Sequence, residues 1–132
     1  MNVRLLIVDD HPMVREGLRY ALRSSELETT EAASGQRALR IVAEEEIDAV
    51  LLDVDMPEMD GLEVLSQIKA VKPGLPVLMH SCHDNAGYVR RSIELDARGF
   101  LIKGVHKNKL IEAIRIALSG GDVWTADQLR TR

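Results

Sequence analysis

The sequence predicts an α/β domain in which a parallel sheet is covered by helices on both faces. Two observations carry that prediction. Five strand-like apolar runs alternate with five helix-patterned stretches along the 132-residue chain, and the short links between them favour right-handed strand–helix–strand crossovers. In addition, three of the runs close on polar groups, at Asp9 and Asp10, at Asp53 and at Ser81. In open parallel sheets, the carboxyl ends of strands border the ligand cleft.

The first strand is Val3–Val8 (VRLLIV), ending at Asp9 and Asp10. Pro12 follows at a first helical turn, where its missing N–H is no loss. That helix runs to about Arg23 with Val14, Leu18 and Ala21 as its apolar face, and Gly17 is expected to let it approach the sheet closely. Residues 29–33 read as a weak edge strand. Ser34 and Gly35 then open a helix bearing Ala38, Leu39 and Val42, with Glu44, Glu45 and Glu46 as its solvated end. In the third strand, Ala49–Asp53, a short apolar run typical of burial on both faces leads into the acid. Asp60 and Glu63 have capping-box spacing for a helix through Lys69, which Pro73 and Gly74 end. Residues 76–81 form the fourth strand, 85–95 a helix and 99–103 a short fifth strand. Leu110, Ile111, Ile114 and Leu118 line one face of the last helix.

Composition sets further bounds. The length fits one domain able to bury a core without disulfides or a structural metal. A single cysteine, Cys82, excludes an internal disulfide and a cysteine zinc cluster and fits a reducing, cytoplasmic location. No apolar run reaches membrane-spanning length, and Arg4, Asp9 and Asp10 fall where a signal peptide is apolar. A formal charge of −4 and a pI near 5.6 argue against the domain holding nucleic acid by its own field.

Alone, Asp53 is equally an acid that ends a strand and opens a turn. If the first and third strands are neighbours, however, Asp9, Asp10 and Asp53 share one pocket. Like charges at that separation raise one another's pKa, so a hard dication is the economical way to keep them ionised. Mg²⁺ fits best, because it takes a few oxygens and keeps several waters. Ser81 and Lys103, at the ends of the fourth and fifth strands, add a hydroxyl and an ammonium that suit a phosphoryl group. The residues read as a phosphoryl-transfer site centred on Asp53.

VDDHP, LLDVDMPEMDG, a strand-ending Ser81 and GFLIK, in this order and spacing, resemble the receiver domain of two-component response regulators, the CheY-like family. The resemblance covers residues 3–120. It implies a flavodoxin-like (βα)5 sandwich with a five-stranded parallel sheet of order 2-1-3-4-5. It implies further that Asp53 accepts a phosphoryl group from a phosphohistidine of a sensor histidine kinase. By the same resemblance Asp9, Asp10, Asp53 and the backbone carbonyl of Asp55 hold Mg²⁺, Ser81 and Lys103 contact the phosphoryl oxygens, and Phe100 is an aromatic switch. Asp55 and His83, two residues beyond Asp53 and Ser81, match positions at the pocket mouth that tune dephosphorylation.

HPMVREGL, Gly104 directly after Lys103, and ALSGGDVW are similar to the NarL/FixJ (LuxR-type) branch. The branch implies a receiver domain over residues 1–120. Residues 121–132 are then the start of a linker to a helix-turn-helix DNA-binding domain absent from this sequence, with transcriptional output and a homodimer formed on phosphorylation. A stand-alone receiver in a phosphorelay is the alternative. Asp96 stands where relatives often carry glycine, and aspartate tolerates the left-handed backbone of a helix cap.

Three rival readings have sequence-level objections. A haloacid-dehalogenase-type phosphatase shares the D-x-D pattern of Asp53 and Asp55, but places its further acids downstream of the nucleophile. A flavin domain of this fold meets acid-rich strand ends that repel its phosphate. His11, His80 and His83 flank the site, yet His80 and Ser81 are adjacent strand positions facing opposite ways, so rim and sheet-face histidines are expected instead of a transition-metal cluster.

Overall fold

The computed structural model describes residues 2–131. Its strands are β1 (Val3–Val8), β2 (Leu27–Ala32), β3 (Ala49–Asp53), β4 (Val77–Ser81) and β5 (Gly99–Ile102). Between and after them run α1 (Pro12–Leu22), α2 (Gly35–Glu44), α3 (Gly61–Val71), α4 (Ala86–Glu94), α5 (Lys107–Leu118) and a short α6 (Ala126–Leu129). All strand pairs are parallel and the order is β2-β1-β3-β4-β5, the topology expected from the sequence.

Alternation along each strand divides the core in two. Leu6, Val8, Val50, Leu52, Val77, Met79 and Phe100 face α2, α3 and α4. Leu5, Ile7, Ala49, Leu51, Leu78 and Leu101 face α1 and α5. β3 lies third of five, so all of Ala49–Asp53 is buried. An acid at its C-terminal end is thereby drawn deep into the fold.

The helix starts follow the sequence signals. Ser34 accepts from the Arg37 N–H, and Asn85 from the N–H groups of Gly87 and Tyr88, satisfying donors that have no intrahelical partner. At α3 the Asp60 carboxylate accepts from the Glu63 N–H at 3.0 Å, the half of the capping box that lies on the N-cap residue. Gly61 is required on space, because a Cβ there would overlap the carbonyl oxygen of Asp53. Asp96 has φ of 65°, the left-handed cap expected for it. Gly17 departs from expectation. It is exposed, with nothing near a Cβ placed on it, so α1 packs through Leu18 and Leu22 instead.

Residues 121–131, expected to lead into a linker, lie along β5 and α4. The Val123 N–H donates to the Arg98 carbonyl at 2.7 Å, Trp124 packs on the core side that contains Phe100, and Thr125 with Gln128 forms a complete capping box for α6. Among the described residues, no helix is long and apolar enough to cross a membrane.

Candidate functional site

The C-terminal ends of β1 and β3 lie side by side, with Val8 paired to Leu52, so the residues following each strand share one end of the sheet. Asp9 and Asp53 are both 1% exposed. Asp10 is partly exposed, although its Oδ1 is buried without a hydrogen-bond partner. Ligand atoms of Asp9, Asp10, His11 and Asp53 all lie within 4.8 Å of one another, as donors around a single small cation must.

Lys103, directly beyond β5, reaches across this group. Its Nζ stands 2.9 Å from Asp9 Oδ2 and 3.1 Å from Asp53 Oδ1. Both contacts are ion pairs, and the other oxygen of Asp53, Oδ2, is buried without a hydrogen-bond partner. Asp53 Oδ1 is better served, since the Asp55 N–H donates to it at 3.2 Å. Asp9 Oδ1 accepts the His11 N–H at 2.9 Å.

These surroundings push the two buried acids apart. For Asp53, burial and then the neighbouring Asp9 charge raise the carboxyl above its ordinary value, despite the opposing pull of Lys103. For Asp9, burial also acts upward. The His11 N–H and the Lys103 ammonium outweigh it, and the carboxyl titrates below its ordinary value. Lys103 is lowered by burial but raised more by its two carboxylate neighbours, so it holds its proton more firmly than a free lysine. A fixed cation thus bridges an acid that stays ionised and one whose charge is strained.

Ser81 is buried at the end of β4, and its Oγ accepts the His83 N–H at 3.2 Å. Its carbonyl accepts the Lys103 N–H at 2.7 Å, which ties the ends of β4 and β5 together. Asp55 and His83 both have exposed side chains, while their backbone N–H groups are the ones touching Asp53 and Ser81. Phe100 is 2% exposed and sits in the core on the α4 side of the sheet, outside the carboxylate group.

His11, expected at the rim, has a largely exposed side chain. It occupies the N-cap position of α1 without a side-chain capping bond, and its Nδ1 lies 3.2 Å from both Asp9 and Asp10 carboxylates. Its place directly after the acidic pair was the available signal. Arg15, whose guanidinium donates to the Asp9 carbonyl at 2.8 Å and pairs with Glu31 at 2.9 Å, was missed; one helical turn beyond His11, it had no distinctive spacing. His80 is buried, and burial followed by the nearby Lys103 charge lowers its imidazole to about 4. It is therefore neutral at pH 7.

The residues fit a hard divalent cation. Carboxylate oxygens dominate the donor set, and the bare, buried Asp53 Oδ2 is an orphan that such an ion would satisfy.

Comparison with known proteins agrees with this arrangement. The response regulator receiver domain family matches residues 5–115. The transcriptional activator protein ExaE of Pseudomonas putida is 40% identical over 118 residues, 88% of this chain and 55% of that protein. The chemotaxis protein CheY of Listeria monocytogenes is 37% identical over 116 residues, 87% of this chain and 98% of that protein. A LuxR-family two-component response regulator from Aurantimonas superimposes with a TM-score of 0.87 at 27% identity, covering 99% of this chain and 95% of the other. The chain spans about half to three fifths of the transcriptional relatives ExaE and YdfI, at 55% and 60% of their lengths. The chain belongs to the receiver domain family of two-component response regulators.

Proposed function

We propose that Asp53 is the phosphoacceptor of this domain, charged by a phosphohistidine of a sensor histidine kinase in the presence of Mg²⁺. The observation that carries the reading is a buried carboxylate with one oxygen held beside Lys103 and the other left bare. In the transfer, an Asp53 oxygen forms the new O–P bond as the P–N bond breaks. The kinase imidazole keeps the electron pair and takes up a proton. Asp9, Asp10, Asp53 and the carbonyl of Asp55 would hold Mg²⁺, which when bound offsets the negative charge that carboxylates and phosphoryl oxygens bring together.

The chain's own groups do the rest. Lys103, kept protonated by Asp9 and Asp53, neutralises a phosphoryl oxygen, and the Ser81 hydroxyl, whose proton is free to be donated, orients another. The Asp55 N–H holds the attacking carboxylate in place. Drawing Ser81 and Lys103 inward gives Phe100 its role as the switch aromatic. Asp55 and His83 flank the mouth and set access of the hydrolytic water. The chemistry of this chain is then limited to its own phosphorylation and slow dephosphorylation in the cytoplasm.

For the whole protein we propose transcriptional output through a C-terminal helix-turn-helix domain following residues 121–132, with dimerisation on phosphorylation. Similarity to longer transcriptional regulators, of which the matched segment covers 55% and 60%, supports it. A single-domain receiver is favoured by one observation, the coverage of 98% of a CheY. Intact mass after acetyl phosphate and Mg²⁺ tests the core of the reading. The wild type gains one phosphoryl group and Asp53→Asn gains none, whereas equal gains would refute it.

A further inference from the structure

β5 is an edge strand, and its outward carbonyls have no neighbouring strand to serve them. The carbonyls of Arg98, directly before the strand, and of Phe100, within it, are served by the C-terminal segment instead. Val123 N–H donates to Arg98 at 2.7 Å, and Gln128 Nε2 donates to Phe100 at 2.9 Å. Free edges are normally blunted against pairing with other chains, and here the chain's own tail does so. The Gln128 side chain is buried and used at both ends, since its Oε1 also accepts the Thr125 N–H at 2.9 Å. Val123 seats over Gly99, where any Cβ would overlap it, and Trp124 packs on the core cluster that contains Phe100. Arg98 adds an ion pair to Asp122 at 3.3 Å.

The strand so gripped continues into Lys103, whose ammonium sits on Asp53 and Asp9. We propose that residues 122–131 are a clasp on the free edge of β5, closed through Gln128 on the Phe100 carbonyl and opened when charge added at Asp53 displaces β5. The inference rests on Asp53 being the phosphoacceptor. The physical lever is the steepness of a buried hydrogen bond, which is lost once the strand moves by about half an ångström beyond its normal range. Opening uncovers the β5 edge and the side of α4, and it frees the segment that leads out of the domain.

The chain carries one tryptophan, Trp124, inside the clasp, so its quenching by acrylamide reports the clasp directly, alongside hydrogen exchange of residues 122–131. Gln128→Glu keeps the acceptor for the Thr125 N–H and thus the capping box, but cannot donate to Phe100. Gln128→Ala removes both. Without any ligand, both variants are expected to exchange residues 122–131 about tenfold faster than wild type. Wild-type exchange in Gln128→Glu would overturn the clasp. In the wild type, beryllofluoride with Mg²⁺ is expected to raise Trp124 quenching about twofold and speed the same exchange, while the ¹⁹F spectrum records whether the mimic is bound. Bound mimic with unchanged Trp124 would overturn the coupling. Absence of a bound signal would overturn the Asp53 reading and the coupling with it, leaving the ligand-free variants to decide the clasp.

Discussion

The ammonium of Lys103 stands 3.1 Å from the carboxylate of Asp53, joining the ends of two strands separated in the sheet by β4. The same ammonium holds Asp9 at 2.9 Å. It is the cation shared by the two buried acids, and its loss leaves both buried carboxylates without it. Lys103→Met is therefore expected to destabilise the domain by about 3 kcal/mol, the usual consequence of uncompensated buried charge. Mg²⁺ should recover part of that loss. Chemical unfolding of both proteins with and without Mg²⁺ checks this, and an unchanged midpoint in the variant would show that Lys103 carries no such burden.

Asp53→Asn has the opposite expected effect on stability. The folded-state pKa of Asp53 is raised, first by burial and then by Asp9. A raised carboxyl contributes its stability at pH below the unfolded value and loses it as pH rises through the folded one. At pH 7 without Mg²⁺ the ionised side chain opposes folding, so the near-isosteric asparagine should melt a few degrees higher. The difference should shrink as pH falls toward the ordinary carboxylate range. Mg²⁺ at ten times its dissociation constant would stabilise the wild type by about 1.4 kcal/mol and the variant by less. Differential scanning calorimetry at pH 7 and in mild acid measures both effects.

His80 supplies a second pH dependence with the other sign. Burial and the Lys103 charge depress its imidazole from 6.5 to about 4, so the fold favours the neutral ring. That contribution is complete above pH 6.5 and is lost as pH falls from there toward 4. The difference between the two pKa values corresponds to about 3 kcal/mol. His80→Asn, which does not titrate, should flatten the stability profile between pH 6.5 and 4. Urea midpoints at several pH values test it, and parallel profiles for the two proteins would exclude His80 as the cause.

Much of this organisation was legible in the sequence because it is written in local patterns. Two-faced burial of β3 follows from four consecutive apolar residues, Ala49 to Leu52, and the N-caps at Ser34, Asp60 and Asn85 follow from their side chains. The left-handed Asp96 was signalled by its place after α4. Other features depend on contacts between distant segments. β2 begins at Leu27, two residues earlier than its composition implied, because pairing of Leu27 with Val3 draws it into the sheet. Gly17 resembles a packing glycine in sequence yet faces outward. The role of Gln128 had no local signal, since WTADQLR has no apolar periodicity and its partner, the Phe100 carbonyl, lies 28 residues away. His11 and Arg15 join the site only because β1 ends where α1 begins beside β2.

The central claim is that Asp53, among several acids at one end of the sheet, is the residue that accepts the phosphoryl group. Borohydride reduction after acetyl phosphate and Mg²⁺ converts an aspartyl phosphate to homoserine, and peptide mass spectrometry then locates it. The account predicts homoserine at position 53 and unmodified Asp9, Asp10 and Asp55. Homoserine at any of those three positions, with Asp53 intact, would contradict it.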